Sequence, residues 1–199
     1  MSTSIPLRQL SGLSNAPAAL SESALVLIDA QNTYRAGVMA PTGVDEALDE
    51  CARILDRARS QNRPIIHIQH DAGSGSPYDL GKPIGAIVDR VAPRNGERVI
   101  VKKYPNSFLG TELDSVLKGV SAKNLLLVGF MTHMCVNSTA RDGFNRGFSI
   151  TIPGSATATR PLPALNGNTV SAEALQAASL AALADLFAVV VPTVADIPD

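Results

Sequence analysis

Six short runs rich in aliphatic and β-branched residues punctuate the chain: Ala24–Ile28, Pro64–Gln69, Arg98–Val101, Leu125–Val128, Phe148–Ile152 and Phe187–Val191. Leu125–Val128 is wholly apolar, the pattern of a strand buried on both faces of a parallel sheet. Between the runs the spacing turns helical. Val44, Leu48, Cys51, Leu55 and Ala58 share one helix face, and Thr42-Gly43-Val44-Asp45 before them resembles a capping box with Asp in place of Glu. Gly129 breaks the fourth run. Thr132 is then placed to cap a helix carrying Val136, Ala140, Phe144 and Gly147 on one side. Thr111 can cap a short helix through Leu117, and Ser171 one running to about Leu186. Strands alternating with helices predict a parallel sheet covered on both faces, joined by right-handed crossovers.

The remaining stretches are connections. Residues 1–22 are polar with scattered prolines and predict a surface segment. Ala72–Gly96 is rich in Gly and Pro, contains Tyr78 and a short helical pattern from Lys82 to Val91, and is long enough to wall or cover a site. Pro153–Gly167 reads as a loop. Ala174–Ala195 is apolar enough to mimic a membrane span, but Asp185, Pro192 and the run Val189–Val191 favour helix followed by buried strand.

At 199 residues and 45% hydrophobic, the chain can bury the core of one domain. A net charge of −1 without a Lys/Arg cluster leaves no footprint for nucleic acid or an anionic membrane. Two cysteines and no opening secretory signal argue against a disulfide framework, so a reducing cytoplasm is expected.

Candidate chemistry collects at strand ends, where ligand sites of open α/β sheets are built. Asp29 directly follows the first strand; its alternative role is a cap or turn former. Lys102 and Lys103 follow the third, and one of them must lie near the same edge. Cys135 falls three residues after Thr132, where the start of a helix favours a thiolate and hence a nucleophile; the alternative is a small buried hydrophobe. Cys51, on a helix face, reads as core. His67 and His70 invite a metal, but residues three apart on a strand point to opposite faces. His133 is the only other histidine, and zinc normally takes three protein ligands. His67 therefore reads as core, whereas His70, at the strand's end, can line a pocket. A carboxylate, a lysine and a cysteine at one edge suit nucleophilic attack on a carbonyl.

In order along the chain stand Leu27-Ile28-Asp29-Ala30-Gln31-Asn32, Lys102 with Asn106-Ser107-Phe108 and Gly110-Thr111, Gly129-Phe130-Met131-Thr132-His133-Met134-Cys135-Val136, Ser138-Thr139-Ala140-Arg141, and Ala156-Thr157-Ala158-Thr159-Arg160. With these the chain resembles the cysteine hydrolases of the isochorismatase-like superfamily, from Ala24 to about Val194. The resemblance implies a three-layer α/β/α sandwich with a six-stranded, mainly parallel sheet. It implies a homo-oligomer, dimer or tetramer, acting on a small-molecule substrate. It selects Lys102, six residues before Phe108, to join Asp29 and Cys135 in a triad that hydrolyses C–N bonds through a thioester. It also implies a cis peptide before Met131, with the N–H groups of Met131 and Cys135 facing the developing oxyanion. Gln31, Tyr34, His70, Phe108, Thr132 and His133 are the residues expected around the substrate.

Two departures narrow that expectation. The nicotinamidase branch has a metal site with Asp-x-His after the second strand and a further His; this chain has His70-Asp71-Ala72 there and no histidine in the long loop. No metal and no cofactor are therefore expected. True isochorismatases cleave a vinyl ether and lack the cysteine, so Cys135 points to amide or carbamoyl substrates. Vinyl ether hydrolysis and a non-catalytic binding protein that kept the fold are the alternatives.

Overall fold

Each apolar run predicted as a strand pairs with a neighbour in the computed structural model, which describes residues 4–199. The strands are β1 (Ser23–Ile28), β2 (Ile65–His70), β3 (Arg98–Lys102), β4 (Asn124–Phe130), β5 (Ser149–Pro153), β6 (Thr157–Ala158), β7 (Leu162–Pro163), β8 (Thr169–Val170) and β9 (Val189–Val191). The main sheet runs β3-β2-β1-β4-β5-β9, with β6 added alongside the end of β4, and all its pairings are parallel. It thus has seven strands among the described residues, one more than the pattern predicts. The addition comes from the expected loop Pro153–Gly167, where Thr157 and Ala158 pair with Gly129 and Phe130. A two-residue strand is too short to show a period in sequence. The antiparallel β7–β8 hairpin lies apart from this sheet.

Alternation along β1 sends Leu25 and Leu27 into one core and Ala24, Val26 and Ile28 into the other. Helix α2 (Val44–Ser60) covers the first face with Leu48, Cys51 and Leu55. Helices α3 (Leu113–Gly119), α4 (Asn137–Asn145) and α5 (Ala172–Ala184) cover the second through Leu117, Ala140 and Leu183. The result is the expected three-layer sandwich. Among the described residues no helix is long and apolar enough to cross a membrane.

Several local expectations change. The capping box before α2 does not form: Gly43 takes the cap position at φ 73°, and no side chain caps the helix. Asp45 and Glu46 in its first turn complement the helix dipole instead. Ser171 does cap α5, accepting from Ala174 N–H, but the helix ends at Ala184. Lys82–Val91 forms two 3₁₀ turns, Pro83–Gly85 and Asp89–Val91, rather than one helix. Its backbone is committed elsewhere, since Val88 N–H donates to Ala30 O and Asn32 N–H to Ala86 O. A Cβ at Gly85 would lie 2.3 Å from the Asp79 carbonyl oxygen, which makes glycine necessary there. The N-terminal segment lies on the surface as expected, held by two buried anchors. Arg8 is buried, donates to Ser14 O and Leu186 O, and follows Leu7 into a short helix, α1 (Leu7–Leu10); Leu20 is fully buried.

At the carboxyl edge, Ile28 stands level with Ile68 and Gly129, and His70 with Lys102. The chain therefore leaves β1, β2, β3 and β4 side by side. Gly129 makes this possible: its φ is +109°, and an added Cβ would lie 2.1 Å from Ile28 O.

Candidate active site

Four consecutive strands in the sheet each supply a polar group to one buried point. Lys102, the last residue of β3, reaches past the end of β2. Its Nζ lies 2.8 Å from Asp29 Oδ2, just after β1, and 3.3 Å from Cys135 Sγ, beyond β4. The same ammonium donates to His70 Nδ1 at 3.1 Å and to Tyr104 O at 3.0 Å. Lys102 is 1% exposed, Asp29 0% and Cys135 5%, so the three side chains share one desolvated environment. Lys103 is exposed, as strand alternation requires.

Asp29 sits at φ +51°, a left-handed conformation that Asp tolerates better than most residues. Its N–H donates to Ile68 O and its carbonyl accepts from Gln31 N–H, which fixes the turn. Lys102 approaches as a charge, and neither carboxylate oxygen has an aligned hydrogen bond among the described residues. Burial pushes the carboxyl pKa up, while Lys102 pulls it back. A carboxylate with free lone pairs and raised basicity is suited to take a proton.

The thiol differs from expectation. Thr132 does not cap a helix. Residues Thr132–Val136 form a π-helical turn before α4, and the Thr132 hydroxyl, though fully buried, has no partner among the described residues. Cys135 lies inside this turn, and burial, followed by the Asp29 charge, pushes its pKa up to about 12, only partly offset by Lys102. Desolvation outweighs the helix-start effect that favoured a thiolate. The resting group is a thiol. The peptide bond between Phe130 and Met131 is cis.

The other candidates divide. Because the Lys102 ammonium donates to Nδ1, His70 is neutral and carries its proton on Nε2. Burial and then Lys102 lower its pKa to about 4. Tyr78, from the long 72–96 connection, packs edge-on against His70, and its hydroxyl lies 3.0 Å from that of Tyr34. Tyr34 in turn packs on Phe130. These aromatics wall the cluster, so the long connection does bear on the site. His133 is half-buried, and its Nδ1 contacts the Thr159 hydroxyl. Burial and then Arg160 lower its pKa.

Gln31 and Phe108 are buried and held by contacts within the fold. Gln31 is fully buried and its amide is spent on the backbone, on His70 N–H and on the carbonyls of His70 and Gly85. It locks β2 to the long connection. Phe108 belongs to the second core, stacked on Phe148 with the Arg146 guanidinium 4.9 Å from its ring centre. The landmark residues before it have architectural tasks: Asn106 bonds Asp142, and Ser107 bonds Thr139, tying the chain after β3 to α4. Outside the site, His67 is buried and paired with Glu97 at 2.8 Å, and Cys51 donates to Ala156 O. Among the described residues no group of three or more His, Cys, Asp or Glu is placed to hold a metal ion. Tyr104 O was invisible in the sequence because it is a backbone group, and Thr159 and Arg160 were visible only as part of a motif without a role.

A doubly wound parallel sheet with a buried acid, ammonium and thiol at its carboxyl edge defines a class of α/β sandwich proteins with a nucleophile-type site. The isochorismatase domain model matches residues 23–195, and the chain belongs to the isochorismatase family of hydrolases. A crystal structure of an isochorismatase from Pseudomonas putida KT2440 superposes with a TM-score of 0.94 at 36% identity, covering 97% of this chain and 99% of that one. A secreted isochorismatase effector of Verticillium dahliae is 33% identical over 185 residues, 92% of this chain and 95% of the relative. Streptothricin hydrolase of Streptomyces noursei is 32% identical over 178 residues, 88% of this chain and 70% of the relative.

Proposed function

We propose that the protein is a metal-independent cysteine amidohydrolase that cleaves the C–N bond of a small amide or carbamoyl compound through a thioester. The observation that carries this reading is the Lys102 ammonium standing between Asp29 Oδ2 and Cys135 Sγ with all three groups buried. Among the relatives, streptothricin hydrolase is by name a hydrolase and ureidoacrylate amidohydrolase by name an amidohydrolase, which fits this reaction class.

Cys135 attacks the substrate carbonyl carbon as its proton moves to Asp29. Transfer concerted with attack removes the need for a free thiolate, which suits a thiol held near pKa 12. Lys102 balances the negative charge as it passes from carboxylate to sulfur and back. The N–H groups of Met131 and Cys135 receive the oxyanion of the tetrahedral intermediate. Asp29 hands the proton to the nitrogen, the C–N bond breaks, and the amine or ammonia leaves the acyl group on sulfur. Water then attacks the thioester while Asp29 takes its proton. The acid departs, and the proton returns to Cys135. The donor set favours chemistry without a metal, since the Lys102 ammonium already occupies the Nδ1 side of His70.

The test is a screen of primary amides, lactams and carbamoyl compounds for amine or ammonia release, with intact-mass detection of an acyl adduct. Turnover with an adduct that maps to Cys135 is expected. Turnover that persists in Cys135→Ala would overturn the mechanism, and no hydrolysis of any C–N substrate would overturn the reaction class.

A further inference from the structure

We infer that the outer edge of β3 is a self-association surface, on which a second copy of this chain lays its own β3 antiparallel about a two-fold axis at Ile100. The main sheet begins at β3, which has β2 on one side and no strand on the other. Lys102 O accepts from Asp71 N–H, on the β2 side. Backbone direction alternates along a strand, so Ile100 and Lys102 turn their N–H and C=O groups toward β2, and Val99 and Val101 turn theirs outward. No backbone group outside the ladder bonds Val99 or Val101 among the described residues.

The side chains of these two residues are bare as well. Val99 is 40% and Val101 46% exposed, and strand alternation puts both on one face. The opposite edge is different: Val189 and Val191 of β9 are 7% and 8% exposed, covered by this chain itself. An uncovered edge with apolar side chains is a template for a further strand.

The sequence of β3 names the occupant. With the axis through Ile100, Val99 stands opposite Val101 of the partner subunit, and Val101 opposite the partner's Val99. These are the residues with outward backbone, so each pair exchanges both of its hydrogen bonds, as an antiparallel ladder requires. Their β-branched side chains pack across the seam. Beyond the strand ends the exposed Lys103 comes level with the partner's Glu97, base against acid. The one like-charged match, Arg98 with the partner's Lys102, is weakened because the lysine is turned inward onto Asp29.

A seam of one short strand falls below the burial of about 1,200–2,000 Å² that stable association takes. The flanking helix makes up the difference. An axis normal to the sheet keeps each face on its own side, so α3 of both copies flanks the seam. Between β3 and α3 runs an open groove lined by Arg98, Glu112, Val116 and Val120, with Val120 exposed.

Light scattering on the intact chain over a concentration series tests this. The wild type is expected at twice the chain mass of 20.8 kDa. Val99→Asp and Val101→Lys each set a charge against a valine in both pairs, and each should raise the dimer dissociation constant by about 100-fold or more. The two substitutions together put an acid opposite a base in both pairs and should restore the dimer. Circular dichroism of every variant, taken at concentrations where it is monomeric, should match the wild type. Recovery in the double variant keeps the register testable if a single variant folds poorly. A larger wild-type assembly that halves in the single variants and returns in the double would place β3 at one of its interfaces and support the inference. The inference is overturned if the wild type is monomeric at every concentration, if the single substitutions leave the mass unchanged, or if the double variant dissociates as they do.

Discussion

The ammonium of Lys102 and the carboxylate of Asp29 meet at 2.8 Å with neither side chain exposed to water. Removing one member of such a pair strands the other as a buried charge, at a cost of about 3–5 kcal/mol. Lys102→Met and Asp29→Asn should each lower the stability measured by urea unfolding, and each should lose activity. The double variant should recover much of the stability and none of the turnover. Independent, additive losses would show that the two groups do not function as a pair.

Asp29→Asn also separates base from cap. Under the proposed mechanism Asp29 is the base in both half-reactions, and Asp29→Asn should lower turnover by about 100- to 10,000-fold. Asn caps about as well as Asp, so near-normal turnover in the folded variant would reduce Asp29 to a turn former. The sequence alone predicts that melting would hardly move. The ion pair with Lys102 changes that expectation, because an amide leaves the ammonium without a counter-charge.

Cys135 should resist alkylation at neutral pH in the absence of substrate. Its pKa is held near 12 by burial and by Asp29, so iodoacetamide labelling should accelerate only toward that pH. Cys51, pushed to the same range by burial and fully inaccessible, should label only on unfolding. The linked stability follows in sign. A folded pKa raised from about 9 to about 12 means that the folded chain keeps a proton the unfolded chain has lost. Each thiol therefore makes stability fall as pH rises through that window. Fast labelling of Cys135 at pH 7 would refute the buried-thiol picture.

His70 accepts a hydrogen bond from the Lys102 ammonium at Nδ1 and so helps to position it. His70→Leu removes the acceptor and should reduce kcat by about 100-fold, as expected when a reacting group drifts by an ångström. His70→Asn can present an amide oxygen near the same place and should retain much more. Acid stability provides the second measurement. With the folded pKa lowered from 6.5 to about 4, the unfolded chain binds a proton that the folded chain rejects. Stability is therefore lost as pH falls from about 6.5 toward 4, and His70→Asn should flatten that slope. An unchanged slope would place the acid sensitivity on other groups.

Gly129→Ala should fail to fold or unfold at far lower temperature. Its Cβ would stand 2.1 Å from Ile28 O at φ +109°, and β1 and β4 cannot separate without moving Asp29. A soluble variant with normal melting would contradict the register of Ile28 with Gly129.

The sequence revealed what depends on local pattern. A parallel strand buried on both faces must be apolar along its length, so Leu125–Val128 announced itself, and with it the edge at which Cys135 emerges. The strand pattern left Lys102 and Lys103 open, and the motif spacing selected Lys102. What it hid depends on residues that meet only in three dimensions. The Cys135 thiol looked activated because its nearest sequence neighbours form a turn, yet burial beside Asp29 decides its protonation. Phe108 stood among functional landmarks and belongs to the core. Gln31 looked like a site residue and proves to be a brace, since the carbonyls it bonds come from segments 39 and 54 positions away.

β6 is only two residues long, yet it joins the end of β4 to a part of the chain that contributes none of the three reacting groups. A protein shortened to end after β5 would still contain Asp29, Lys102 and Cys135 in its sequence. It would lack the backbone that borders Phe130, two residues before the turn that carries Cys135. Chemistry in this chain is thus not a property of an early module that later segments decorate. During synthesis Asp29, Lys102 and Cys135 are all made before Thr157 and Ala158, so the backbone that borders Phe130 reaches them only after the chain has grown through β6.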